Sequence, residues 1–285
     1  MRILSAAAIE AAVAGLCVDA TCALPDDIVN ALNLAYAQEE GPAGIALRQI
    51  LENEQLARAS RRPCCQDTGL AVVFLDVGQE VFIDGDVNAA VNAGVARAYT
   101  DAYLRKSSLG ALSRKNTGDN TPAVLHVRFV PGDQVHITVA PKGFGSENMS
   151  RLCMLKPAQG VEGVLDFIVE TAQLGAANAC PPVILGVGIG GTMEAAALLA
   201  KRQLLRDIGS KAEKEELSAL EREALSRVNG LGIGPMGLGG KTTALAIHIG
   251  ELPTHLAGLP VAVNVQCHCA RHKSISLQGE ECVCR

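Results

Sequence analysis

The sequence predicts an α+β fold, mixed helices and sheets with polar and glycine-rich loops at strand ends. Helix start signals and helical periodicity dominate the first 60 or so residues. Two-residue alternation of apolar and polar side chains runs through residues 123–140. Polar stretches rich in glycine and cysteine stand against the short apolar runs that read as strands. No internal repeat and no linker-like segment interrupts the chain. It is read as one domain over residues 1–285, helical to about residue 60 and α+β from about 61 to 275.

Leu24-Pro25-Asp26-Asp27 starts a helix, its acids complementing the positive end of the helix dipole. Gly41-Pro42 starts another, leading into Ile45, Ile50, Leu51 and Leu56. Ala71–Val77 reads as a buried strand, and Asp86 as the cap of a helix with the stripe Val87, Val91, Val95, Tyr99. Leu125, Val127 and Phe129 alternate with His126 and Arg128, Pro131-Gly132-Asp133 turns the chain, and Val135, Ile137 and Val139 alternate on the return. That pattern predicts an antiparallel hairpin. A polar glycine loop, 141–148, follows it. Next come a helix near 160–174, a turn at Cys180, a short strand at Val183–Val187 and two helices within 193–228. A glycine-rich loop at 230–240 leads to strands at Ala244–Ile249 and Val261–Val265.

With 48% hydrophobic residues the chain can bury a large core. A formal charge of −5 argues against nucleic acid as a partner, since that needs a basic stripe. Aromatic residues are only 3% and Trp is absent, so stacking platforms for single strands are not expected either. Glu10 interrupts the N-terminal apolar stretch where a signal peptide would continue, and no uncharged run reaches the roughly 18 residues of a membrane span. The expectation is a cytoplasmic protein without a membrane partner. Its 10 cysteines are then reduced, and are buried, metal-binding or catalytic rather than paired.

Two glycine motifs attract attention and are set aside. Gly186-Val187-Gly188-Ile189-Gly190-Gly191 has dinucleotide-binding spacing, but no second strand ending near an acid follows its helix. Close strand–helix packing explains it better. Gly239-Gly240-Lys241-Thr242 resembles the end of a phosphate loop, yet Pro235 stands where a glycine is required. Bare amides or Lys241 facing a carboxylate remain open there.

Three cysteines occupy polar settings: Cys65 in Pro63-Cys64-Cys65-Gln66-Asp67-Thr68-Gly69, Cys180 before Pro181-Pro182, and Cys267 within Asn264-Val265-Gln266-Cys267-His268-Cys269. Soft thiolates select iron–sulfur clusters, zinc or Cu(I), so a metal centre with an open position is expected. Cys17, Cys22 and Cys153 read as small core hydrophobes. Structural zinc favours paired C-x₂-C spacings, and the chain offers only Cys267-x-Cys269 and Cys282-x-Cys284.

Taken in order, Cys65-Gln-Asp-Thr-Gly, Asn116-Thr-Gly-Asp-Asn-Thr-Pro122, Lys142-Gly-Phe-Gly-Ser146, Cys180-Pro-Pro182, Gly188-Ile-Gly-Gly-Thr192, Gly237-Leu-Gly-Gly-Lys241 and Leu252-Pro-Thr-His-Leu256, then Cys267, carry a resemblance. The chain resembles the α subunit or α domain of the iron–sulfur hydro-lyases of the class I fumarase/tartrate dehydratase family, from about residue 10 to 275. The resemblance implies a [4Fe–4S] cluster held by Cys65, Cys180 and Cys267, with the fourth iron left for substrate; Cys64 and Cys269 fall off the motif. It also implies Asp67 and His255 as catalytic residues and Gln66, Arg105 and Gly145 as substrate-binding ones. Read on their own, Arg105 is a solvated helix-end charge and His255 a loop histidine.

Single-chain members of that family continue into a β domain carrying further substrate-binding residues. This chain stops at Arg285, so the resemblance implies an α subunit acting with a β subunit, as α2β2, on a small dicarboxylate. Reversible hydration of fumarate to malate is the first expectation and dehydration of tartrate to oxaloacetate the alternative. A cysteine-rich metal-binding protein without turnover is the non-enzymatic rival.

Overall fold

The computed structural model describes residues 1–281; Cys282 and Cys284 lie outside the described residues. In chain order the elements are β1 (Arg2–Ser5), α1 (Ala6–Cys22), α2 (Asp26–Tyr36), α3 (Gly41–Ser60), β2 (Leu70–Gly78), β3 (Val81–Asp84), α4 (Val87–Asp101), β4 (Val124–Val130) and β5 (Gln134–Lys142). Then follow α5 (Phe144–Glu147), β6 (Arg151–Leu155), α6 (Gly160–Gly175), β7 (Val183–Gly190), α7 (Met193–Gln203), α8 (Glu215–Asn229), β8 (Ala244–Leu252), β9 (Leu259–Gln266), β10 (Lys273–Gln278) and β11 (Glu280–Glu281). The α+β class is as predicted. The chain forms two compact units, the first built from Met1–Pro25, Glu54–Gly143 and the segment from Arg271 onward, the second from Asp26–Asn53 and Phe144–Ala270.

The first unit holds a sheet of order β10-β5-β2-β4 and a small sheet of order β11-β1-β3. Its core joins Val73, Leu75 and Val77 of β2 to Ile9, Val13 and Cys17 of α1 and to Val91, Val95 and Tyr99 of α4. Ala6–Tyr36 is apolar enough by length and composition to cross a membrane. Pro25 divides that run between α1 and α2, and Ile9, Val13, Ala14, Leu16 and Cys17 of α1 are buried in this core.

The predicted hairpin is corrected. β4 and β5 are both strands, but they do not pair with each other: β2 lies between them, parallel to β4 and antiparallel to β5. The link Pro131–Asp133 crosses the end of β2, where Gln79 N–H donates to Val130 O and Glu80 N–H to Gly132 O. Gly78 makes the crossing possible, since a Cβ there would stand 2.4 Å from Gly132 O. The polar loop after β5 is also more ordered than expected, closing into the single turn α5.

Asp86 caps α4 as predicted, its Oδ1 accepting the Ala89 N–H at 3.0 Å. Asp86→Ala should cost about 1 kcal/mol, the usual worth of an N-cap. The measurement is a shift in the urea midpoint at constant m-value, and no shift would contradict the cap.

The second unit holds a sheet of order β6-β9-β7-β8. Val164, Leu165 and Ile168 of α6 and Ala224 and Val228 of α8 cover one face with Leu185 and Val187. On the other face α7 lies directly on β7: a Cβ at Gly186 would come within 2.1 Å of Ala200 O, and one at Gly188 within 2.1 Å of Ala196 O. The dinucleotide-like spacing therefore serves close strand–helix packing. The phosphate-like loop is likewise filled from within, because the N–H groups of Lys241 and Thr242 donate to Glu39 Oε1 at 2.7 and 2.6 Å.

Candidate functional site

Cys65 stands on a half-buried loop that delivers the chain into β2. The Asp67 N–H points at Cys65 Sγ at 3.4 Å, and Gln66 Oε1 lies 3.4 Å from the same sulfur. Asp67 Oδ1 accepts the Gly69 N–H at 2.9 Å, folding the loop back on itself. The turn is anchored below by buried Tyr99, whose hydroxyl donates to the carbonyls of Thr68 and Gly69 at 2.7 and 3.0 Å. Burial pushes the Tyr99 hydroxyl up, so it stays a donor.

Thr68 Oγ1 donates to Arg105 O at 2.8 Å, tying the Cys65 loop to the segment that carries Arg105. Asn120, fully buried, completes this frame. Its Nδ2 donates to Gly69 O at 3.1 Å, and its Oδ1 accepts the N–H groups of Ser107 and Ser108. Asn120 thus braces the segment after Arg105 and the Cys65 loop together. The Arg105 side chain is exposed and makes no ion pair among the described residues. Its backbone is held while its guanidinium stays available.

In the second unit Cys180 follows a single turn of 3-10 helix and takes a left-handed conformation at φ +52°, seldom adopted by a residue with a side chain. Its carbonyl accepts from His268 twice, from the backbone N–H at 3.2 Å and at Nδ1 at 2.9 Å. His268 directly follows Cys267, so the Cys180 turn and the Cys267 segment are brought together. Cys180 is exposed and Cys267 half-buried. Cys269 is buried instead, its carbonyl taken by Gln266 Nε2 at 3.2 Å.

His255 lies on the exposed loop between β8 and β9. Thr254 Oγ1 donates to Gly191 O at 2.9 Å and fixes that loop to the end of β7. His255 Nδ1 accepts the Ala257 N–H at 3.2 Å, which assigns the proton of the neutral ring to Nε2. Beside it runs a groove of ≈1160 Å³ walled by Val161, Leu217, Leu220, Leu256 and Leu259. Its cations are already matched, Arg227 with Glu162 and Glu223 and Lys214 with Glu251, so it offers a dicarboxylate little. Gly145 is exposed in α5, with nothing within 4 Å of where a Cβ would stand.

Each of the three motif cysteines, taken in its own unit, has the chemistry of an iron–sulfur ligand. Cys65, Cys180 and Cys267 are all at least partly accessible, all stand on loops, and Cys65 receives a backbone N–H of the kind that tunes cluster thiolates. By contrast, Cys17 is fully buried and its thiol is pushed up to about 12 by burial, which makes it a core residue. Cys22 is buried too, and Cys153 packs against the core of the second unit. Among the described residues no three His, Cys, Asp or Glu side chains gather as a mononuclear metal site requires.

One residue of this frame went unread in the sequence. Arg271, 5% exposed, donates through Nη2 to Asp67 O, through Nε to Pro141 O at 3.3 Å and through Nη1 to Cys64 Sγ at 3.8 Å. It clamps the Cys65 loop from the far end of the chain. Its signal is weak, an arginine in a polar, cysteine-rich stretch between Cys269 and Lys273; burial of such a charge requires good bonding.

Comparison with known proteins places the chain among hydro-lyases of the α-subunit type. The sequence model of the family described as Fumarate hydratase (Fumerase) matches residues 10–276. The chain belongs to that family, whose members are generally iron–sulfur dependent. It is 39% identical over 273 residues to a Methanocaldococcus jannaschii protein named "Putative L(+)-tartrate dehydratase subunit alpha", covering 92% of this chain and 95% of that one. The L(+)-tartrate dehydratase subunit alpha of Escherichia coli K12 is 33% identical over 262 residues, 90% of this chain and 86% of the relative.

Proposed function

We propose that this chain is the α subunit of a [4Fe–4S] hydro-lyase that reversibly dehydrates a small 2-hydroxy dicarboxylate, with Cys65, Cys180 and Cys267 as cluster ligands. The observation carrying this reading is the contrast among the cysteines. The three at motif positions stand exposed or half-buried on braced loops, whereas Cys17, Cys22 and Cys269 are buried, the equally half-buried Cys153 lies within β6, and Cys64 faces the Arg271 guanidinium. A bound cluster would supply one iron as the Lewis acid that eases departure of the substrate hydroxyl. Arg105, with its backbone held and its guanidinium exposed, grips a substrate carboxylate in a bidentate fork. Gln66 and the open backbone at Gly145 orient the substrate. His255 donates from Nε2 toward the departing oxygen, and Asp67 takes up or returns a proton.

Because relatives are named tartrate dehydratase α subunits, L-tartrate stands at least level with malate as the substrate. The same names support a β subunit as partner; we propose an α2β2 stoichiometry and place the enzyme in the cytoplasm. Anaerobic co-purification with the β subunit, followed by iron and sulfide analysis and assays on L-tartrate and malate, tests the proposal. A complex that takes up no iron or sulfide on reconstitution rules out the cluster, and a loaded complex without turnover favours the non-catalytic reading. Arg105→Ala should lower kcat/KM about 100-fold, the loss of one charge-assisted fork, while leaving the visible absorbance unchanged. Unaltered kinetics would return Arg105 to the role of a solvated charge.

A further inference from the structure

The second unit contains a carboxylate bonded to backbone alone. Glu39, 9% exposed, lies between α2 and α3 and pairs with no cation among the described residues. Its Oε1 accepts the N–H groups of Lys241 and Thr242, and a Cβ on Gly240 would stand 2.5 Å from its Oε2. Two charge-assisted bonds from consecutive amides hold that end of the glycine ribbon to one point.

The ribbon is tightly turned and closed by bonds of its own, from Gly237 N–H to Gly234 O at 3.1 Å, Leu238 N–H to Pro235 O at 3.1 Å and Gly239 N–H to Ile233 O at 2.9 Å. Gly234, Gly237, Gly239 and Gly240 all have positive φ, as does Met236 at +53°. At its other end the Met236 N–H donates to Pro181 O at 2.8 Å, one residue beyond Cys180. Gly237 lies against Ala177 in the turn that precedes Cys180. Glu39 therefore fixes one end of a ribbon whose other end supports the Cys180 turn, and that turn is held in turn by His268.

We propose that Glu39 is a positioning residue for Cys180, acting through the 234–242 ribbon to set the left-handed turn that presents this thiol. The role toward a cluster rests on Cys180 being a ligand; the mechanical coupling does not.

The test is residue-resolved hydrogen exchange on the full chain carrying Glu39→Ala or Glu39→Gln. Glu39→Ala should speed exchange about tenfold or more at Lys241 and Thr242, and several-fold at Met236 and His268, while β7 amides stay unchanged. Glu39→Gln keeps a neutral acceptor and should fall between, which answers the question should the alanine variant fail to fold. Acceleration confined to Lys241 and Thr242, or none anywhere, would overturn the proposal, leaving Glu39 a local cap. In the reconstituted complex Glu39→Ala should lose iron to a chelator several-fold faster than wild type. If Cys180→Ala keeps the full cluster absorbance, the ligand assignment fails while the exchange result still decides the coupling.

Discussion

Cys65→Ala, Cys180→Ala and Cys267→Ala should each abolish the broad visible absorbance of the anaerobic complex and all turnover, while Cys64→Ala and Cys269→Ala keep most of both. The expected effect is complete because a cluster held by three thiolates cannot spare one. The neighbours make demanding controls. Cys64 is one residue from Cys65, yet its sulfur faces the Arg271 guanidinium. Cys269 is two residues from Cys267, yet it is buried. A merely thiol-rich protein would not distinguish members of these pairs. Bleaching by Cys269→Ala with Cys267→Ala intact would reassign the third ligand.

The second large effect concerns folding. Gly188→Ala should destabilise the chain by about 3 kcal/mol or more, because its Cβ would stand 2.1 Å from Ala196 O and 2.7 Å from Ala200 N. These are backbone atoms of α7, so relief requires the whole helix to move off β7. Gly15→Ala is the matched control with the opposite sign. Gly15 lies within α1 with nothing within 4 Å of its missing Cβ, so alanine there should stabilise by about 0.5–1 kcal/mol through helix propensity. Urea midpoints at constant m-value read both. A loss under about 1 kcal/mol for Gly188→Ala would mean the helix has room to shift.

The elements legible in the sequence were those whose signals are local. Pro25-Asp26-Asp27, Gly41-Pro42 and Asp86 each mark a helix start with chemistry complete within one turn, and each helix begins there. Alternation identified β4 and β5 as strands but misassigned their partner. A two-residue period reports which side chains share a face and nothing about which strand lies alongside. β6 is not legible because Arg151-Leu152-Cys153-Met154-Leu155 lacks β-branched residues, and β1 because only four residues separate Met1 from α1. The residues proposed for catalysis and ligation, Cys65, Cys180, Cys267, Asp67, Arg105 and His255, bring their own chemistry, and all but Arg105 stand in sequence motifs. The bracing is not legible. Tyr99, Asn120, Arg271 and Glu39 act by donating to or accepting from backbone groups distant in sequence, and no spacing records such a bond.

The position of β2 between β4 and β5 also bears on how the first unit assembles. A hairpin is the quickest sheet nucleus a chain can form, because its strands meet through a short loop. Here the short loop joins two strands that never touch, and each finds its ladder only on β2, with α4 intervening between β2 and β4. The sheet therefore has no local starting point, and its entropy of closure falls due before any of its ladder bonds is made. Pulse-labelled refolding should show the amides of β2, β4 and β5 gaining protection in one step, after α1 and α4, with no early phase confined to residues 124–142.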